Sequence, residues 1–354
     1  MTGPRVGDLL EGLHGGTKAR ENAPPAMGHA AHSCPPFLEL EVPMRKPRLF
    51  SVLAAGLAAA ITLNSQAAQK DTFSVCWTIY AGWMPWEYGA TQGIVDKWAK
   101  KYGINIDVVQ LNDYVESINQ YSAGQFDGCT MTNMDALTIP AAGGVDSTAL
   151  IVGDFSNGND GVVLKGEKKT LADLKGQNVN LVELSVSHYL LARGLEKAGL
   201  SERDLKVVNT SDADMVAAFA TQDVTAVTTW NPLLAEIEAT PGVTKVFDSS
   251  QIPGEIIDLM VVNSDTLKDN PALGKALTGA WYEIMATMSD SGAAGQAARE
   301  HMAKASGTDL QSYEAQLATT KMFYSAKDAV AFTKSPRLPE TMSKVAAFSF
   351  DHGL

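Results

Sequence analysis

Phe155-Ser-Asn-Gly-Asn-Asp-Gly161 is a run of turn-forming residues that divides an otherwise regular alternation of strands and helices into two groups. Upstream of it, residues 73–79, 104–111, 126–131 and 149–153 read as strands, with helices over about 91–102 and 114–122. Downstream, strands are expected at 162–164, 178–182, 205–208, 224–228 and 243–247, alternating with helices at about 188–198, 212–220 and 232–238. Residues 256–262 make one more strand, and from Leu267 onward the pattern is almost all helical. Such alternation predicts an α/β protein with open, mostly parallel sheets flanked by helices. Two groups predict two lobes: residues 69–161 with 257–354, and residues 162–256. The chain would cross near Gly161 and Glu255, forming a hinge with a ligand cleft at the carboxyl ends of the strands.

The N-terminal region reads differently. Met44-Arg-Lys-Pro-Arg48 is basic, residues 49–63 are an apolar run of fifteen, and Ser65, Ala67 and Ala68 are small. These are the three parts of a secretory signal peptide, placed at 44–68. The run is shorter than the roughly 20 residues of a membrane span. Because a signal peptide opens a chain, residues 1–43 are read as a misplaced start or a disordered extension, and the mature protein is expected to begin near Ala68 or Gln69. No Cys lies at the cleavage region, which argues against a lipid anchor. Beyond residue 68 there remain 22 Lys+Arg against 35 Asp+Glu, a balance that disfavours nucleic acid and anionic membrane as partners.

Little in the mature chain suggests catalysis or metal binding. Its histidines are His188, His301 and His352, and no nucleophile stands at a recognisable spacing from a base. No CxxC or HExxH occurs, so neither a metal nor a cofactor is expected. Cys76 and Cys129 fall in predicted strands, where the plain reading is two small buried hydrophobes and the alternative a disulfide.

Three stretches are distinctive. Gly124-Gln-Phe-Asp127 precedes the third strand, Leu171-Ala-Asp-Leu-Lys-Gly-Gln-Asn-Val179 opens the second lobe, and Val224-Thr-Ala-Val-Thr-Thr-Trp-Asn-Pro232 ends a strand in Trp-x-Pro. In these the sequence resembles the nitrate/sulfonate/taurine-type family of ABC solute-binding proteins, over most of the mature chain. Trp83-Met-Pro-Trp86 and the overall pattern look closest to a subgroup encoded beside urea or guanidine carboxylases. The resemblance implies a two-lobed periplasmic-binding-protein fold (type II-like). It implies a monomeric periplasmic protein that captures a small solute for a membrane permease. The same fold hosts enzymes of thiamine-precursor and menaquinone biosynthesis, so the fold alone does not exclude catalysis; the residues favour a binding protein.

The expected cleft segments are 80–90, 130–136, 153–160, 183–189, 210–214, 229–232 and 255–260. They hold no Lys or Arg and nine acids: Glu87, Asp135, Asp154, Asp160, Glu183, Asp212, Asp214, Glu255 and Asp258. Tyr80-Ala-Gly-Trp-Met-Pro-Trp-Glu-Tyr88 adds four aromatics in what Gly and Pro mark as a loop. The candidate ligand-binding residues are Trp83, Trp86, Glu87, Asp135, Asp154, Glu183, Trp230 and Asp258. Several have plainer readings. Either Trp83 or Trp86 would serve to anchor the loop, and Asp135 to cap a helix beginning at Ala136. Asn231 with Pro232 reads as a helix start. His188 reads as a surface residue of a first helical turn, and Asp212 and Asp214 as partners of a helix dipole. Asp258 stands in an apolar strand and needs a partner to be buried there. Acids with aromatic faces suit a small planar nitrogen-rich solute, guanidinium or urea. A pyrimidine-like or alkyl-amine compound is next. A sulfonate or nitrate is favoured by the family and opposed by the charge.

Overall fold

The computed structural model describes residues 70–352; the signal peptide expected at 44–68 and the reading of residues 1–43 lie outside them. The chain enters with β1 (Thr72–Thr78) and passes through α1 (Met84–Thr91) and α2 (Ile94–Lys101) to β2 (Asn105–Leu111). α3 (Tyr114–Ser122) leads to β3 (Gly128–Thr132), and α4 (Asn133–Ala136), continued by a π-helical turn over Leu137–Ala141, leads to β4 (Ser147–Ser156). A second set follows: β5 (Asp160–Lys165), β6 (Asn178–Leu181), α5 (Val186–Ala198), β7 (Lys206–Asn209), α6 (Asp212–Ala220), β8 (Ala226–Trp230), α7 (Leu233–Glu238) and β9 (Val243–Asp248). β10 (Ile257–Asn263) returns to the first set. After it come α8 (Ser264–Asp269), α9 (Pro271–Met288), α10 (Ala293–Ala305), α11 (Leu310–Ala318), β11 (Thr320–Met322), α12 (Ala326–Thr333) and α13 (Arg337–Asp351).

Two sheets result, ordered β11-β4-β10-β3-β1-β2 and β7-β6-β8-β5-β9. They are mixed rather than mostly parallel. β1 runs parallel to β2 and β3, but β10 is antiparallel to β3 and β4, and β5 is antiparallel to β8 and β9. The reason lies in the crossings. β5 and β10 each arrive directly from the other lobe, so each enters its sheet at the cleft end and runs against its neighbours. The crossings occupy residues 157–159 and 249–256. The boundaries read from sequence, 161/162 and 256/257, fall inside β5 and directly before β10.

The core of the first lobe rests on α9. Leu273, Leu277, Ala280, Trp281, Ile284 and Met288 recur at helical spacing and are buried. Among the described residues no helix is long and apolar enough to cross a membrane.

Three local expectations change. The aromatic stretch expected as a loop becomes helical at Met84, because Pro85 sits in the first turn, where its missing N–H costs nothing. The helix expected over 91–102 begins instead at Ile94, since Gly93 takes a left-handed conformation (φ 70°) that breaks it from α1. Cys76 and Cys129 are joined by a disulfide, not merely buried. They stand opposite one another in the β1–β3 register with Cα atoms 4.4 Å apart, a proximity that strand pairing alone creates.

Candidate functional site

The cleft ends of both sheets border one small cavity of about 20 Å3. That is about the room a single water needs. Tyr80 and Trp83 follow β1, Thr132 ends β3, and Asp258 begins β10; from the second lobe come Asp160 of β5, Trp230 of β8 and Val186 in the first turn of α5. A larger open cleft of about 610 Å3 lies between the lobes, bordered by Asn112 and Ser312 on one side and Asp212 and Glu236 on the other.

Pairing across strands fixes the floor of the cavity. Asp258 stands opposite Thr132 on β3 and opposite Asp154 on β4, so Thr132, Asp258 and Asp154 form one row across three strands. The Tyr80 hydroxyl lies 3.0 Å from Asp154 Oδ1 and 3.1 Å from Asp258 Oδ2. Gly82 permits this approach, since a Cβ there would fall 2.6 Å from Asp154 Oδ2. On the next element, the Tyr114 hydroxyl donates to Asp135 Oδ2 at 2.6 Å and accepts the Thr132 N–H at 2.9 Å. Thr132 Oγ1 donates to the same Asp135 oxygen at 2.7 Å. Thr132, not Asp135, is the N-cap of α4, which starts three residues before the expected position. In the second lobe Asp160 is paired in register with Trp230.

Burial dominates the electrostatics. It raises Asp154 to about 7, with hydrogen bonds from Asp258 and Tyr80 holding it back. Asp258 is pushed well up, by burial first and then by the Asp154 charge. Burial lifts Asp160 to about 7 and Asp135 to about 6. Asp135 Oδ1, Asp154 Oδ2 and Trp83 Nε1 are buried without a hydrogen-bond partner. No Lys or Arg lines the cavity among the described residues. Of the three unpartnered residues, Trp83 lines the cavity, while Asp135 and Asp154 stand behind it.

An aromatic chain spans the cleft. Tyr80 meets Trp83 edge-on (5.0 Å), Trp83 lies tilted on Tyr114 (5.8 Å), and Tyr114 meets the edge of Trp230 from the other lobe (5.5 Å). Tyr114 also donates its backbone N–H to Asp212 of the second lobe at 3.3 Å. Asp212 is buried there and lifted to about 6 by desolvation, so it does more than complement its own helix.

Of the residues singled out from sequence, Trp83, Trp230 and Asp258 line this cavity, and Asp154 and Asp135 sit behind it, bonded to the lining hydroxyls of Tyr80 and Tyr114. Three others lie elsewhere. Trp86 is buried against Trp281 with ring centroids 5.1 Å apart, because it occupies the core-facing side of α1. Glu87 turns outward to His301 of α10, 3.0 Å from its Nε2. Glu183 is exposed; only its backbone is tied down, by the Asn209 side chain. Of the other cleft acids, Glu255 binds Arg193 (2.8 Å) and the Tyr189 hydroxyl (2.7 Å) at the second crossing. Tyr114, Tyr80 and Thr132 carry roles that sequence reasoning missed. Tyr80 stood within the aromatic stretch, but nothing local marks Tyr114 as a site residue. Asp160 was visible only as one acid among nine.

A protein-family model described as "NMT1/THI5 like" matches residues 97–289. A putative binding protein of Brucella abortus (strain 2308) is 26% identical over 181 residues, 50% of this chain and 56% of that protein. The putative aliphatic sulfonates-binding protein of Escherichia coli (strain K12) is 34% identical over 133 residues, 37% of this chain and 39% of that one. The chain therefore spans about half the length of the curated relatives it matches, or less. The alkanesulfonate-binding protein SsuA from Xanthomonas axonopodis pv. citri, solved bound to MOPS, has the same fold. It superposes with a TM-score of 0.61 at 18% identity, covering 79% of this chain and 96% of that one. The chain belongs to the NMT1/THI5-like family and shares the two-lobed α/β fold of that solved structure.

Proposed function

We propose that this protein is the periplasmic solute-binding component of an ABC importer and that its solute is a small planar nitrogen-rich cation, guanidinium or a close relative, with urea next. The carrying observation is the cavity wall. Asp160 and Asp258 line it, Asp154 and Asp135 are buried behind it through Tyr80 and Tyr114 with one carboxyl oxygen each unpartnered, and among the described residues no Lys or Arg lines it. In-plane N–H donors of a guanidinium match such acceptors, and charge-assisted hydrogen bonds are the strong ones. The faces of Trp83 and Trp230 would add about 1–2 kcal/mol of cation–π attraction once desolvated. The likeness of Trp83-Met-Pro-Trp86 to binding proteins encoded beside urea or guanidine carboxylases points to the same class.

The protein acts by binding alone. Solute enters through the open cleft, the lobes close, and Tyr114 bridges them through its ring on Trp230 and its N–H on Asp212. The closed form then presents itself to a membrane permease.

A second reading has its own support. The Escherichia coli relative is described as binding aliphatic sulfonates, and the Xanthomonas protein as binding alkanesulfonates. An anion would require these carboxyls protonated, so that they donate rather than repel. Thermal shift and calorimetry at pH 8 with guanidinium, urea, taurine and nitrate separate the two. A ligand at 100 times its Kd stabilises by about 2.7 kcal/mol. Stabilisation by guanidinium supports the cation reading; stabilisation by taurine or nitrate alone replaces it with the anion reading.

A further inference from the structure

The last helix, α13, runs across both lobes. Leu338 and Met342 in its first half lie against the first sheet, sharing a gap of about 50 Å3 with Val152 and Ile257. Lys344 reaches Glu255 in the second crossing (3.9 Å). Its second half lies on the other lobe, where the Phe348 ring meets Tyr189 edge-on at 5.3 Å. A single helix touching both sides of a hinge must let go of one side, or slide on it, when the lobes part.

His352 makes its outermost attachment. Nδ1 lies 2.8 Å from the Phe348 carbonyl oxygen and Nε2 lies 2.8 Å from Glu202 Oε1. Both partners are acceptors, so both ring nitrogens must carry protons, and the ring making both bonds is an imidazolium. His188 of α5 approaches the same Glu202 oxygen at 3.2 Å. Its Nδ1 accepts the Leu184 N–H at 3.1 Å, and its Nε2 makes no hydrogen bond. The three ligating atoms lie close enough for a metal ion, but that would need a bare Nε2 on His188, which the Leu184 contact opposes.

We propose that the His352 imidazolium, held between the Phe348 carbonyl and Glu202, is a proton-operated catch that fastens the last helix to the second lobe and releases it as pH rises. The groups facing His352 are Glu202 from the turn over Glu202–Asp204, His188 from α5, and Phe348 and Asp351 of its own helix. Burial disfavours the charge, but the Phe348 carbonyl and Glu202 outweigh it and hold the ring above its ordinary 6.5. A raised folded-state value means the catch contributes fully below 6.5 and is lost as pH climbs through the folded value. Neither the identity of the solute nor the carboxyl cavity enters this inference.

The test combines imidazole NMR with hydrogen exchange of the α13 amides, corrected for intrinsic rates, from pH 5.5 to 9. In the native protein α13 protection falls from about pH 6.5 upward and levels off once the His352 ring has titrated. Protection falls about tenfold for each unit by which the ring value is raised. In Glu202→Gln the ring titrates lower and the pH-dependent loss of protection shrinks accordingly. A His352 titration that α13 protection does not follow overturns the proposal. So does a Zn2+-induced rise in Tm that His352→Gln abolishes, which would make the cluster a metal site.

Discussion

Asp154 and Asp258 face one another across β4 and β10 and share one donor, the Tyr80 hydroxyl, at 3.0 and 3.1 Å. One O–H holds one proton, so the pair has two acceptors for each hydrogen Tyr80 supplies. Burial, with no basic side chain beside them among the described residues, raises Asp154 to about 7 and pushes Asp258 well above its ordinary value. The site is built around missing positive charge.

That imbalance has a pH signature. For carboxyls with raised folded values, the folded state holds more protons than the unfolded state between 3.8 and about 7. Stability of the unliganded protein therefore falls as pH rises through that window. A bound cation competes with those protons, so its affinity rises through pH 6–8, about tenfold per unit for each proton displaced. Calorimetry in buffers of different ionisation heat checks this: proton release on guanidinium binding is expected, and pH-independent affinity would contradict it.

Asp154→Asn removes the buried charge and keeps the shape. At pH 8 it should raise the Tm of the unliganded protein, with a gain of about 1–3 kcal/mol, while weakening guanidinium binding at least tenfold. Thermal melts with and without ligand report both effects, and they should move in opposite directions.

Trp83 and Trp86 should separate cleanly. Trp86→Ala opens a core cavity against Trp281 and should cost about 3–5 kcal/mol of stability. Trp83→Ala at the cavity wall should chiefly raise Kd. Glu183→Gln, at an exposed carboxylate, should leave Kd within about twofold. Denaturation curves and binding isotherms on the three variants decide it.

Tyr114→Phe keeps the ring on Trp230 but strips the hydroxyl that joins Asp135 to the Thr132 N–H. Leaving those groups unpaired should cost about 1–3 kcal/mol and reduce affinity, because the two lobes then close on a misplaced Asp135. Urea denaturation together with ligand titration measures both.

Opening the Cys76–Cys129 bond with a reductant frees a loop of 53 residues. Chain-entropy reasoning predicts a loss of about 2–4 kcal/mol. A lowered Tm under reducing conditions, reproduced by Cys76→Ser with Cys129→Ser, is the expected result.

The sequence by itself determined the alternation of strands and helices, the two groups divided at residues 155–161, and the acid-rich, Lys- and Arg-free composition of the cleft segments. These are local properties, written in periodicity and residue type. The partners were not local. Trp83 and Trp86 are three residues apart, yet one faces the cavity and the other Trp281, because α1 begins between them and turns the second into the core. Cys76 meets Cys129, and Asp154 meets Asp258, only through strand register. Asp160 and Tyr114 join the site because β5 enters its sheet reversed and α3 points its first turn across the cleft. Which acid is buried, and which stays at the surface as Glu183 does, depends on packing between segments distant in the chain. Only the tertiary structure sets that, since a carboxyl is desolvated by what surrounds it and not by what precedes it.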